Sequence, residues 1–259
     1  MQTATTDSNT DDTQELVLLT ESPYDTPDPS KALHDPEGLS AIGGDLSTTR
    51  LLHLYSKGFF PWFSDPDPIL WWHPKQRCVL RPADFHLSRS LQKAFKKIGQ
   101  AAPKNEQWSF SINHDFPAVI HHCAELRVNK EGTWISKDIK QAYQKLHKLG
   151  YAHSIEIWQN ETLIGGFYGI AMGNMFFGES MFSLVPNASK VALKLFCELA
   201  QECHIELIDC QVESKHLLSL GAKLIQRDVF STQLEQLIPS IEKNTILISI
   251  GKRPEKHPI

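Results

Sequence analysis

Residues 163–211 decide the fold of this chain, because they place apolar strands on both sides of a helix. The stretch begins as Leu-Ile-Gly-Gly-Phe-Tyr-Gly, turns at Gly173-Asn174 and returns as Phe-Phe-Gly-Glu-Ser-Met-Phe over residues 176–182. A helical pattern follows from about Ala188, and Glu-Leu-Ile-Asp-Cys-Gln closes the stretch over residues 206–211. Strands that alternate with a helix in this way predict an α/β (α+β) fold with a mixed sheet.

Two acids and an amide lie inside these strands. Side chains of a strand alternate between its faces, so Asp209 and Gln211 are expected to share one face. The same rule groups three residues of the preceding strand: Phe177, Glu179 and Met181. Carboxylates are depleted from strands and costly to bury without partners, so Glu179 and Asp209 predict a polar cleft. A carboxylate that only satisfies neighbouring backbone and fixes the fold is the alternative.

The composition is that of a soluble globular protein. The chain has 259 residues and a net charge of −4, with enough length for one large domain or two small ones. No apolar run approaches the roughly 18 residues of a membrane helix, and the N-terminus lacks a signal-peptide pattern. The five cysteines form no C-x-x-C pair, which favours reduced thiols. We therefore expect a cytoplasmic protein without membrane contact.

The charge is unevenly distributed along the chain. Residues 1–28 contain seven acids and no Lys or Arg, which leaves 26 basic and 23 acidic side chains for the rest. Burial cannot offset the cost of ordering so polar an opening, so residues 1–21 are expected to form a disordered acidic extension. Changes of pattern predict an N-terminal domain over 22–105, an α/β domain over 106–238 and a tail over 239–259.

A helix with one basic face is predicted near residues 87–98. Its apolar residues recur at helical spacing: Leu87, Leu91, Phe95 and Ile98. A second face carries four positive charges and no acid: Arg89, Lys93, Lys96 and Lys97. Such a face could hold a phosphate backbone through contacts that weaken as salt rises. A solvated surface face is the alternative.

Several long motifs follow one another in an order typical of one enzyme family. In the first half they are Pro-Glu-Gly-Leu-Ser-Ala-Ile-Gly-Gly-Asp-Leu-Ser from Pro36, Gly-Phe-Phe-Pro-Trp from Gly58 and Ile-Leu-Trp-Trp from Ile69. In the second half the strands quoted above are joined by Ala-Ser-Lys-Val-Ala-Leu from Ala188 and His-Leu-Leu-Ser-Leu-Gly-Ala from His216. Over residues 34–235 the chain resembles leucyl/phenylalanyl-tRNA–protein transferases.

The resemblance implies an acetyltransferase-like fold for residues 106–238 and an aminoacyltransferase activity. Such an enzyme moves Leu or Phe from leucyl- or phenylalanyl-tRNA to proteins with N-terminal Arg or Lys and marks them for degradation by the N-end rule pathway. Some transfer of Met is expected too, because apolar fit discriminates weakly. No metal or small cofactor is implied, and we expect a monomer. His73 departs from the family pattern, where Ser is expected.

Chemistry suggests a role for each of the three polar residues. The donor ester is activated, so the protein has to position the reactants and stabilise the oxyanion. We hypothesise that the Gln211 side-chain carbonyl contacts the attacking amine and that Asp209 orients the Gln211 amide, directly or through water. Glu179 would pair with the cationic side chain of the acceptor.

An apolar pocket would select Leu or Phe. The candidates lie around the three polar residues: Met181, Phe176, Phe177 and Ile208. Trp72 and Trp134 are candidates for stacking on the terminal adenosine that the resemblance implies. Packing in the core is the alternative for each of these residues.

Two other functions stay open. A coenzyme A-dependent N-acetyltransferase would hold a pyrophosphate on a Gly-rich loop before a helix, whereas residues 183–189 contain no glycine and include Pro186. A non-catalytic module would bind tRNA through the basic helix and transfer nothing. No metal-ligand spacing occurs, and Cys210, expected on the face opposite Asp209, is not predicted to act as a nucleophile.

Overall fold

Two mixed β-sheets form the framework of the protein in the computed structural model, which describes residues 13–100, 107–128, 134–251 and 256–259. Residues 1–12 of the expected acidic extension lie outside the described part. The mixed α/β class predicted from the sequence is confirmed.

The smaller sheet has four strands in the order β1-β2-β4-β3. They are β1 (Val17–Leu19), β2 (Leu39–Gly43), β3 (Phe60–Pro61) and β4 (Leu70–Trp72). β1 runs parallel to β2, and the other pairs are antiparallel. The prediction that disorder extends to residue 21 is wrong at β1, because β1 is paired to β2 and Leu19 is buried.

The larger sheet has eight strands in the order β11-β5-β10-β9-β8-β7-β6-β12. They are β5 (Gln76–Leu80), β6 (Trp108–Ile112), β7 (Ala152–Gln159), β8 (Thr162–Met172), β9 (Met175–Ser183), β10 (Leu207–Gln211), β11 (Lys223–Gln226) and β12 (His257–Pro258). β9 and β10 run parallel, and the other described neighbours are antiparallel. The parallel pair requires a crossover, which a helix provides as the sequence predicts.

Helices cover both faces of the larger sheet. They are α1 (Thr48–Ser56), α2 (Arg89–Gln100), α3 (Phe116–Val128), α4 (Lys137–Lys148), α5 (Ala188–Glu202), α6 (Lys215–Leu218), α7 (Arg227–Leu237) and α8 (Thr245–Gly251). α3 and α4 pack in one core with α1, and α5 packs in the other with Leu91 of α2. No helix in the described ranges is both long and apolar enough to cross a membrane.

Helix boundaries follow the capping signals in the sequence. The Ser47 hydroxyl accepts the Arg50 N–H at the start of α1, and the Ser136 hydroxyl accepts the Ile139 N–H at the start of α4. Gly150 ends α4 with a φ of +84°, a left-handed conformation that glycine adopts without steric cost.

Two features of the predicted domain plan differ in the structure. β5 belongs to the larger sheet, so the chain enters that sheet before the domain boundary that the sequence predicts after residue 105. The predicted tail is folded as well, because Leu247 of α8 is fully buried and β12 pairs with β6. Part of the predicted boundary, residues 101–106, lies outside the described residues.

Candidate active site

A cavity of about 380 Å³ opens where the parallel strands β9 and β10 separate. Their pairing ends with Asp209 opposite Phe177, and the residues beyond this pair line the cavity. β9 contributes Gly178, Glu179, Ser180 and Met181, and β10 with its continuation contributes Cys210, Gln211, Val212 and Glu213. The smaller sheet closes another side with Phe60, Pro61 and Trp62.

Glu179 is the centre of a polar cluster on the cavity wall. Tyr55 and Tyr143 donate their hydroxyls to its two oxygens at 2.7 and 3.0 Å, and Gln211 Nε2 donates to Oε1 at 3.1 Å. Only 7% of Glu179 is exposed. Burial raises the pKa of its carboxyl to about 7, although the two tyrosine hydrogen bonds act in the opposite direction.

Asp209 lies behind the wall in a second polar cluster. Its carboxylate accepts Arg77 Nε at 2.8 Å and Nη2 at 2.7 Å, and both side chains are fully buried. The guanidinium also lies 4.7 Å from the Phe60 ring centroid and 4.6 Å from that of Phe230. The charge of Asp209 is therefore compensated within the protein.

The Asp209 carboxylate holds Gln211 by its backbone N–H group, not by its side chain. Its Oδ1 accepts the Gln211 N–H at 2.9 Å, whereas the Gln211 side-chain amide donates to Glu179. A direct hydrogen bond between Asp209 and the side-chain amide, one of the two predicted routes, is therefore wrong. Gln211 has a φ of +63°, a strained conformation for this residue type that the hydrogen bond to Asp209 helps to hold.

A bulge in β9 changes the predicted alternation of side chains. Gly178 pairs with Gly169, and Ser180 pairs with Tyr168, so Glu179 is an extra residue between two regular pairs. Phe177 therefore packs in the core with α3 and α4, while Met181 packs against the core under α5. The prediction that Phe177, Glu179 and Met181 share one face is wrong for Met181.

The predicted aminoacyl pocket is divided between the cavity and the core. Met181 and Ile208 line the cavity, together with Leu193 and Phe167. Phe176 and Phe177 are fully buried and are not among its lining residues. These two rings fill the opposite cores on either side of β9, so the structure contradicts their placement in the pocket.

The two tryptophans predicted to stack on an adenosine occupy different places. Trp134 lines the main cavity, and Trp72 lines a smaller neighbouring cavity of about 230 Å³. Trp62 lines both cavities and is 45% exposed. Its ring centroid is 5.7 Å from that of Trp72, whose Nε1 donates to the Trp62 carbonyl at 2.6 Å.

The basic helix α2 has the orientation that its pattern predicts. Leu91 and Phe95 pack against the core under α5, while Arg89, Lys93 and Lys96 are exposed. The side chain of Lys97 lies outside the described residues. Three exposed cations on one helix are available for an external partner.

The start of α5 has one of its N–H groups taken by a side chain, which makes it a poorer site for the pyrophosphate of an acetyltransferase cofactor. The Ser183 hydroxyl accepts the Ser189 N–H at 2.9 Å, and it donates to the Ser189 hydroxyl at 2.8 Å. Asn187 precedes the helix with a φ of +71°. Side chains of the protein thus occupy one of the N–H groups that an anion would use.

Sequence reasoning missed four residues that shape this site: Tyr55, Arg77, Tyr143 and Trp62. Tyr55 and Tyr143 lie in amphipathic helices, where an aromatic residue is typical of the core, and their hydroxyls gave no separate signal. Arg77 did carry a signal, because it directly precedes the apolar run Cys-Val-Leu in its strand, and a buried guanidinium needs an anion as partner.

Two family models match this chain, one in the region of the smaller sheet and one in the region of the larger sheet. The profile of the leucyl/phenylalanyl-tRNA protein transferase N-terminal domain matches residues 44–75, and that of the leucyl/phenylalanyl-tRNA protein transferase matches residues 79–235. The chain belongs to the leucyl/phenylalanyl-tRNA–protein transferase family. The two matched regions meet where the chain passes from β4 to β5 and so from the smaller sheet to the larger one.

Curated members of the family are similar over most of their length. A leucyl/phenylalanyl-tRNA–protein transferase of Shewanella piezotolerans is 51% identical over 222 residues, which cover 86% of this chain and 91% of the relative. A relative with the same name from Idiomarina loihiensis is 48% identical, and the match covers 85% of this chain and 89% of the relative. One from Klebsiella pneumoniae is 51% identical, and the match covers 82% of this chain and 86% of the relative.

Proposed function

We propose that the chain transfers Leu or Phe, and Met to a lesser extent, from aminoacyl-tRNA to the α-amine of proteins that begin with Arg or Lys. The reaction takes place in the cytoplasm, on a monomer, and marks the acceptor for degradation by the N-end rule pathway. The observation that carries the proposal is the Gln211–Glu179 hydrogen bond at the wall of a largely apolar cavity. Family membership supports an aminoacyl-tRNA as donor.

The apolar part of the cavity receives the amino-acid side chain of the donor. Met181, Ile208, Leu193 and Phe167 offer a surface without charge for Leu or Phe. Methionine adapts to irregular shapes, which suits a pocket that accepts both a branched and an aromatic side chain. Trp134 lines the same cavity and is the candidate for stacking on the terminal adenosine, an interaction of about 1–3 kcal/mol.

Gln211 holds the attacking amine. Its Nε2 donates to Glu179, which leaves the side-chain carbonyl oxygen to accept an N–H of the α-amine. An α-amino group has a pKa of about 7.7–8.0, so about a tenth or more of it is neutral at pH 7 and can attack. As the amine nitrogen bonds to the ester carbon, the bond to the ribose oxygen breaks, and the departing oxygen takes up the proton that the amine loses.

Among the described residues, acids but no Lys or Arg line the cavity where the acceptor would enter. Glu179 and Glu213 lie in the lining, and Glu213 is exposed. The sequence predicts Glu179 as the partner of the cationic side chain, but three hydrogen-bond donors already contact that buried carboxylate. Glu213 is therefore the better partner for Arg or Lys, with Glu179 adding to the negative potential.

The basic face of α2 binds the tRNA backbone. Arg89, Lys93 and Lys96 are exposed, as a phosphate contact requires. Each such contact releases counterions, so the affinity for tRNA should fall steeply with salt. Nothing in this step depends on a metal or a small cofactor.

The test is label transfer from leucyl-tRNA and, in parallel, from acetyl-coenzyme A, to peptides that begin with Arg or with Gly. Label moving only from leucyl-tRNA to the Arg peptide supports the proposal. Label moving from acetyl-coenzyme A would make the chain an acetyltransferase. Binding of tRNA without transfer from either donor would make it a binding module and would remove the roles given to Gln211 and Glu179.

A further inference from the structure

Two tyrosines from separate helices hold the Glu179 carboxylate. Tyr55 lies in α1 and donates its hydroxyl to Oε1 at 2.7 Å, and Tyr143 lies in α4 and donates to Oε2 at 3.0 Å. The two hydroxyls also lie within hydrogen-bond distance of each other. Both side chains are fully buried, and neither lines the cavity. Glu179 therefore has a donor on each of its oxygens before any substrate arrives.

The rings of the two tyrosines pack as core residues, so only their hydroxyls are specific to the site. The Tyr55 ring centroid is 5.2 Å from that of Phe177, and the Tyr143 ring centroid is 5.6 Å from that of Tyr168. Phenylalanine at either position would make the same kind of ring contact. A hydrogen bond to a carboxylate is stronger than one between neutral groups, so the two hydroxyls fix the position of Glu179.

The position of Glu179 decides which way the Gln211 side-chain amide faces. Oε1 accepts Gln211 Nε2 at 3.1 Å, on the same oxygen that accepts the Tyr55 hydroxyl. An ionised carboxylate has no proton to donate, so it accepts the amide N–H and leaves the amide carbonyl free for another partner. The reversed amide would offer the attacking amine a donor in place of an acceptor.

We propose that Tyr55 and Tyr143 are positioning residues for aminoacyl transfer, because their hydroxyls hold Glu179 as the acceptor that fixes the Gln211 amide. This inference rests on the proposed function, in which the Gln211 carbonyl holds the amine. Tyr55 lies in the region that the N-terminal domain model matches, whereas Tyr143 and Glu179 lie in the region that the transferase model matches. The N-terminal region would thus complete an active site whose other members belong to the larger sheet and its helices.

The charge of Glu179 gives this arrangement a dependence on pH. Burial raises the pKa of the carboxyl to about 7, and the hydrogen bonds from the tyrosines of α1 and α4 act in the opposite direction. Asp209 of β10, itself paired with Arg77 of β5, raises this pKa, and the Gln211 N–H lowers it. A protonated carboxyl carries a donor and no longer enforces the amide orientation. Loss of a tyrosine hydroxyl should raise this pKa, so activity should be lost first at low pH.

The experiment measures kcat/KM for an Arg peptide, with saturating leucyl-tRNA, from about pH 6 to about pH 9. In Tyr55→Phe and in Tyr143→Phe we expect transfer at pH 7 to fall about tenfold and the acid limb to move to higher pH, so that the loss narrows near pH 9. The amine of the peptide titrates alike in every assay, so a displaced limb reports the protein. Tyr151→Phe, whose ring packs against Lys243, is the control and should keep both rate and profile. Urea unfolding checks that each variant is folded.

A double-mutant cycle with Gln211 separates positioning from support of the fold. If the hydroxyl acts through Gln211, Tyr55→Phe should lower transfer about tenfold in the parent protein and less than about twofold in Gln211→Ala. Equal losses in both backgrounds, or an acid limb that stays in place in both tyrosine variants, would overturn the inference and leave the proposed function intact. Full transfer by Gln211→Ala would instead remove the role of Gln211, and with it this inference.

Discussion

Arg77 and Asp209 form a fully buried, bidentate ion pair directly behind the wall of the cavity. The same carboxylate accepts the Gln211 N–H, so the pair links the packing of the larger sheet to the position of a proposed catalytic residue. Removal of one partner would leave the other charge buried without compensation. Such changes typically cost about 3–5 kcal/mol of stability.

Asp209→Asn should therefore lower both stability and turnover. We expect a loss of about 3 kcal/mol in the free energy of unfolding, measured with urea. Transfer of Leu should fall by roughly 100-fold, because a displaced Gln211 no longer holds the amine in line with the ester. The affinity for tRNA should not change, since Asp209 does not line the cavity.

Asp84→Asn is the matched control for this change. Asp84 pairs with Lys223 at 2.7 Å on the surface, and neither residue lines the cavity. Neither its stability nor its transfer rate should differ measurably from the parent protein. If Asp209→Asn behaved like this control, Arg77 and Asp209 would have no part in positioning Gln211.

Glu179 should make stability depend on pH. Burial raises the pKa of its carboxyl from an ordinary value of 4.5 to about 7, so the folded protein binds this proton more tightly than the unfolded chain does. Between about pH 4.5 and pH 7 the folded state holds more protons, and stability falls as pH rises; above pH 7 this contribution is flat. The full effect is about 3 kcal/mol, from about 1.4 kcal/mol for each pKa unit.

Glu179→Gln removes this titration while keeping the size of the side chain. Its unfolding free energy, measured at half-unit steps from pH 5 to pH 8, should lack the downward slope of the parent protein. Glu198→Gln, which changes an exposed carboxylate paired with Lys194, should keep the slope. Equal slopes in the parent and in Glu179→Gln would show that the carboxyl is not buried in the folded protein as described.

Local patterns in the sequence predicted several helices and strands, but not how the strands meet. Helical spacing and strand alternation predicted α2, α5 and the β8–β9 hairpin, because these patterns are properties of neighbouring residues. The membership of β5 in the larger sheet depends on pairing with β10 and β11, which are more than a hundred residues away. No local pattern encodes such a partner.

Bulges account for the errors within the site. An extra residue at Glu179 moves Met181 to the other face, and a register shift at Cys210 gives Gln211 its left-handed backbone. Period-2 reasoning assumes an unbroken ladder and cannot locate an insertion of this kind. Phe176 and Phe177 illustrate the other limit, because an aromatic residue beside a site is as well suited to the core as to the cavity.

Neutralising the basic face of α2 should reduce the salt dependence of tRNA binding. In Lys93→Gln/Lys96→Gln the slope of log K against log salt should become less negative by about 1.4 to 1.8, since each lost phosphate contact contributes about 0.7–0.9. Filter binding at several salt concentrations between about 50 mM and 200 mM measures this slope. Lys137→Gln/Lys145→Gln, two exposed lysines of α4, is the control, and an equal change in both variants would leave α2 without a special role.

Met181 should decide how the pocket treats Leu relative to Phe. It is half-buried, lines the cavity with Ile208 and lies on the side of β9 that faces α5. Met181→Ala enlarges the pocket, so kcat/KM for leucyl-tRNA should fall about tenfold. The larger Phe side chain fills the added space, so kcat/KM for phenylalanyl-tRNA should fall less. Met181→Leu keeps the volume and should change both donors by less than about threefold. Parallel losses for both donors in Met181→Ala would mean that Met181 supports the strand without contacting the aminoacyl group, because only direct contact distinguishes two side chains of different size.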